Sequence, residues 1–221
     1  MLLQRLQERI ASTYDLEIGD DVREFIVTDP GLLPAGARPT ESGEQLLVET
    51  GAGDAACGVA LYLDAQVLQR LEHSDPTRAL HAGNVADYLT VLEGVSHFVC
   101  VAWHAQHDRD VSLLALELQA EVDKYVATFA LLSEQCPGRF PAGLHDLLFT
   151  RCRIAPALAA GREALYRRAS EHAARYCRAL ERRLRRDAGG GGGWSVELSA
   201  ELRRWYRLPE ARKLARAAAA A

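Results

Sequence analysis

Lysine is nearly missing from this chain. Lys124 and Lys213 are the two lysines among 26 basic residues, so arginine supplies the other 24 (26 − 2). Together with abundant alanine, this points to the coding bias of a GC-rich bacterial genome before it points to any function. The five cysteines (Cys57, Cys100, Cys136, Cys152, Cys177) are odd in number and include no Cys-x-x-Cys pair. That spacing excludes a disulfide framework and a zinc knuckle and makes a reducing cytoplasm the expected location. No P-loop, His-Glu-x-x-His, calcium-loop or Gly-x-Ser-x-Gly motif is present. The most apolar stretch, Val85 to Trp103, is interrupted by Asp87, Glu93 and His97, so it reads as a buried helix and no membrane partner is expected. The N-terminal residues alternate charged and apolar types, unlike the apolar core of a secretory signal. No internal repeat is found.

What remains is an ordinary globular composition, 48% hydrophobic and 25% charged over 221 residues. The net charge of −4 hides a division. Residues 1–149 hold 9 basic and 23 acidic residues (9 − 23 = −14), and residues 150–221 hold 17 and 7 (17 − 7 = +10).

Leu2, Leu3, Leu6 and Ile10 have helical spacing. The runs Glu24–Thr28, Gln45–Thr50 and Cys57–Leu63, bounded by Asp29-Pro30-Gly31 and Gly51–Asp54, read as a small antiparallel sheet. Gly51–Ala56 also matches G-x-G-x-x-A, but an alternating strand follows where a dinucleotide site needs a helix N-terminus, so a hairpin loop is expected. Asp64 caps the next helix. Asn84 then caps a long helix running to about His107, and Asp110 caps another from Val111 to about Gln135, the two forming an antiparallel hairpin. A short helix over Leu144–Phe149 follows. Pro156 opens a long basic helix ending near Asp187. Gly189–Gly193 form a linker to two short helices, Trp194–Tyr206 and Pro209–Ala219. The expected fold is therefore α+β but mainly α, with one globular domain over 1–188, a linker over 189–193 and a helical tail over 194–221.

The hairpin carries the chemistry. At roughly 100° per residue, Glu93, His97, Cys100 and His104 form one stripe on the first helix, and Glu117, Glu121, Lys124 and Thr128 form a similar stripe on the second. Ser112, Gln119 and Asp123 form a separate polar face, expected to meet water. Folding about Asp108-Arg109 sets side by side residues whose numbers sum to about 217. His97 then meets Glu121, His104 or Cys100 meets Glu117, and Glu93 meets Lys124. The first reading is an ion-pair ladder of Glu93, Lys124, His97 and Glu121 that fixes helix register. The second is a divalent metal or acid/base site formed by His97, His104, Glu117 and Glu121 with Glu93. Glu93-x-x-x-His97 departs from the Glu-x-x-His spacing of carboxylate-bridged di-iron bundles, and Lys124 brings a positive charge close by, so no cofactor is the first expectation.

On the long C-terminal helix, Arg175, Arg178, Arg182, Arg183, Arg185 and Arg186 surround an apolar stripe, and Arg203 and Arg204 extend the basic surface. Arginine on such a face recognises carboxylates and phosphates. The leading expectation is a cytoplasmic binding or adaptor protein whose basic helix meets an acidic partner or a second subunit. A metal-dependent or acid/base enzyme and a nucleic-acid-binding protein are the alternatives.

Overall fold

The computed structural model describes residues 2–34, 43–49, 58–151, 160–187 and 194–220. The Gly51–Ala56 loop, Cys57, Cys152, Pro156 and the Gly189–Gly193 linker lie outside them. The protein is mainly helical, with a small three-stranded sheet early in the chain.

Helix α1 (Leu2–Tyr14) buries Leu6, Ile10 and Tyr14, one face at four-residue spacing. A short 3₁₀ turn, Val22–Phe25, follows, capped by the Asp21 carboxylate, which accepts from the Arg23 amide. It takes Glu24 and Phe25 from the expected first strand, leaving β1 as Ile26–Val27. Strands β2 (Glu44–Glu49) and β3 (Gly58–Leu63) form the expected antiparallel pair. The sheet is mixed, however, because β1 lies on the other side of β3 and runs parallel to it, in the order β1-β3-β2.

Helix α2 (Ala65–His73) is capped by Asp64, as expected. The central hairpin is formed by α3 (Val85–Ala105) and α4 (Leu113–Gln135). Ser112, not Asp110, caps α4, accepting from the Ala115 amide. Asn84 precedes α3 but spends its side chain on the incoming loop, accepting from His81 N and donating to the Ser74 and Ala79 carbonyls. Helix α3 is long and apolar enough to cross a membrane by length and composition, but more than half of it is buried inside the protein. It is the core helix, with α1, α2, α4 and the sheet packed around it.

Gly94 explains how the sheet approaches α3 so closely. A Cβ there would stand 3.0 Å from Leu61 Cδ1 and 3.1 Å from Glu44 Oε2. At the other side of that contact, Gly43 adopts φ +80° and turns the chain into β2, a conformation that favours glycine.

Beyond α4, helix α5 (Leu144–Asp146) continues into a π-helical turn, Leu147–Arg151. Helix α6 (Ala160–Asp187) packs along α4. The tail helices α7 (Val196–Arg207) and α8 (Glu210–Ala219) lie against α1 and α6 respectively. Trp205 stacks on Tyr176 of α6 with ring centres 3.7 Å apart, and Tyr206 meets Tyr14 at 4.6 Å. Arg207 donates to the carbonyls of Tyr14 and Asp15, closing the C-terminus of α1.

Candidate functional site

The polar stripes of α3 and α4 do face each other, and β2 adds a third wall. His97, at the middle of α3, is 4% exposed. Its Nε2 points toward α4, 3.5 Å from Glu117 Oε2 but outside hydrogen-bond geometry. Its Nδ1 lies 3.6 Å from Glu44 Oε2, on the first residue of β2. Ligating atoms of Glu93, His97 and Glu117 all fall within 4.8 Å of one another. Beside them, Lys124 donates to Glu93 Oε2 at 3.0 Å and pairs with Glu121 one turn back on its own helix.

Each ionisable group feels both burial and its neighbours. Burial pushes the His97 pKa down, but the flanking Glu117 and Glu44 carboxylates outweigh it and hold it well above the ordinary histidine value. Burial raises the Glu44 pKa, and His97 only partly offsets this. For Glu93, burial is overcome by the charges of Lys124 and His97, so its carboxyl stays below the usual range. Lys124 is likewise held charged by Glu121 and Glu93 despite its burial.

The pairing of Glu93 with Lys124 is the one expected from the hairpin. Two other pairings differ. Glu121 is held by Lys124, three residues away on α4, and so is not the partner of His97; Glu117, a turn nearer the loop, takes that place. His104 does not join the cluster, because its Nδ1 donates to the Cys100 carbonyl at 2.8 Å and so binds its own helix. Burial lowers its pKa. Neither family models, curated proteins nor solved structures match this chain. Geometry alone carries the functional reading.

Sequence reasoning missed Glu44, which reaches the site from a strand more than forty residues before α3. It also placed Gln119 and Asp123 in water, whereas both are fully buried, 0% and 1% exposed. Asp123 accepts from Tyr14 (2.5 Å), Ser96 (2.5 Å) and Gln119 (2.8 Å). Gln119 in turn accepts from Lys213 Nζ of α8 at 2.8 Å. Burial drives the Asp123 carboxyl up to about 6, against the pull of its donors, and lowers the Lys213 pKa. Helices α1 and α8 cover this face of α4, which its own periodicity does not reveal.

The basic helix is largely satisfied within the chain. Arg178 pairs with Asp146 and Glu181, Arg185 with Glu181, and Arg183 with Glu201. Arg182 donates to the Ala220 carbonyl, and Arg203 lies 3.8 Å from Asp15. Arg175, Arg186 and Arg204 are exposed. Glu181 and Glu201 belong to the basic C-terminal part itself, so much of its charge is balanced locally, not by the acidic N-terminal part. A shallow depression lined by Gln7, Leu16, Ile18 and Gln106 lies at the α1–α3 end and includes no residue of the His97 cluster.

Proposed function

We propose that the protein binds one divalent metal ion between α3 and α4, with His97 Nε2, Glu93 and Glu117 as ligands and Glu44 orienting the imidazole from behind. The observation that carries this reading is the buried His97, whose Nε2 makes no hydrogen bond among the described residues, with Glu117 Oε2 3.5 Å away, and which converges with the Glu93 and Glu117 carboxylates. A carboxylate on the far ring nitrogen is the usual support of a metal-bound histidine. One imidazole with carboxylates suits Mn²⁺, Fe²⁺ or Zn²⁺ better than a soft ion such as Cu⁺.

The test is the metal content of untagged protein, by elemental mass spectrometry, beside His97→Ala. Near-stoichiometric metal that disappears in the variant is expected. A wild type that carries none, and whose melting temperature does not respond to Mn²⁺, Fe²⁺ or Zn²⁺, would leave the cluster as the ion-pair ladder. An adaptor role for the basic helix is the second reading, supported by the exposed Arg175, Arg186 and Arg204. Nucleic-acid binding through the same residues would be lost steeply with added salt.

A further inference from the structure

Glu93 serves two positions at once. It converges with His97 and Glu117, and one of its oxygens accepts from the Lys124 ammonium, which also holds Glu121. The cluster is thus divided into two cation positions that share one carboxylate. The first is lined by His97 and Glu117, and the second is filled by the ammonium. Carboxylate-bridged pairs of ions in enzymes have this sharing, with the two cations about 3.5–4 Å apart.

The choice of lysine is itself informative. Arginine fills 24 of the 26 basic positions, so the chain's composition would supply arginine here. A planar guanidinium spreads its donors over a wide fork, whereas an ammonium is a compact point charge, closer in size and shape to a metal ion between two carboxylates. The other lysine, Lys213, is also interior, at 3% exposure. Both lysines thus lie at least partly inside the fold, Lys124 half-buried and Lys213 buried.

We propose that the Lys124 ammonium is a built-in substitute for a second metal ion, holding the Glu93–Glu121 half of a two-cation site and limiting the centre to one exchangeable ion. The proposal rests on the metal-binding reading of His97, Glu93 and Glu117. It assigns Lys124 the control of stoichiometry: removing the ammonium frees Glu121 and one oxygen of Glu93 to take a second ion.

The experiment compares the full-length wild type with Lys124→Met and Lys124→Arg, each equilibrated with Mn²⁺ and read by elemental mass spectrometry and electron paramagnetic resonance. The wild type and Lys124→Arg are expected to hold one Mn²⁺ per chain. Lys124→Met is expected to hold two, and the six-line signal of isolated Mn²⁺ should broaden as the ions couple. A Lys124→Met protein that still holds one ion, even more tightly, overturns the substitution and leaves the metal-binding reading standing. A wild type that holds no Mn²⁺, and whose melting temperature does not respond to Fe²⁺ or Zn²⁺ either, overturns both. Should Lys124→Met fail to fold without metal, since Glu93 and Glu121 lose their partner, refolding in Mn²⁺ decides. Recovery with two ions per chain supports the proposal, and failure to recover in excess Mn²⁺ overturns it.

Discussion

Glu44 Oε2 stands 3.6 Å from His97 Nδ1, the ring nitrogen on the side away from Glu117, so the first residue of β2 places a carboxylate behind the histidine at the middle of α3. Replacing Glu44 by glutamine keeps the shape and removes the charge. On the proposed metal-binding reading, metal affinity falls about 10- to 100-fold, the usual cost of losing a carboxylate behind a ligating histidine. A competition titration against a chelating dye measures it, and an unchanged affinity would remove Glu44 from the site.

Gly94 lets the sheet reach that position. The added methyl of Gly94→Ala would press on Leu61 Cδ1, Glu44 Oε2 and Leu63 Cδ2 at 3.0, 3.1 and 3.3 Å. Alanine favours the helix, but overpacking of this kind costs about 1–3 kcal/mol. The variant should lose stability in urea and bind metal more weakly, because Glu44 is displaced along with the leucines. A gain in stability would show that the sheet has room to retreat.

Asp123 should make stability depend on pH in the unusual direction for a carboxylate. Its pKa rises from 3.8 to about 6 on folding, so its contribution is complete below the lower value and is lost as pH rises through the higher one. The stability of the wild type relative to Asp123→Asn should therefore fall by about 2 kcal/mol between about pH 4 and pH 7.5. Denaturant titrations of both proteins at the two pH values test this. A difference that is flat with pH would mean that Asp123 is not buried as described.

The tail should contribute to the stability of the whole molecule. Trp205 is fully buried against Tyr176, and its truncation to alanine is expected to cost about 3–5 kcal/mol. Calorimetry should show one cooperative transition moved to lower temperature. A main transition left in place, with only a small separate one lost, would mean that the two tail helices are an independent appendage.

Half of the site was legible because it lies on two consecutive helices. Glu93 and Lys124 meet where the hairpin geometry puts them, and His97 turns toward α4 as its stripe requires. The register of long side chains is a finer matter. Glu121 could answer either His97 or Lys124, and Lys124 wins because it sits one turn away on the same helix, leaving His97 to Glu117. His104 could bond across the hairpin or to its own backbone, and the nearer carbonyl takes it.

Local patterns determined the helices, the hairpin, the β2–β3 pairing and the Asp64 cap, since each follows from spacing within one element or from the joining of two consecutive ones. Tertiary structure alone decided which polar faces are interior. Gln119 and Asp123 form a stripe that reads as solvated, yet Tyr14 from α1 and Lys213 from α8 close over it and supply the hydrogen bonds that make its burial tolerable. Glu44 reaches His97 only because a strand distant in sequence is drawn over Gly94. A helix encodes the spacing of its own side chains, but the groups that desolvate and satisfy them come from elsewhere in the chain, and only their packing shows where those groups arrive.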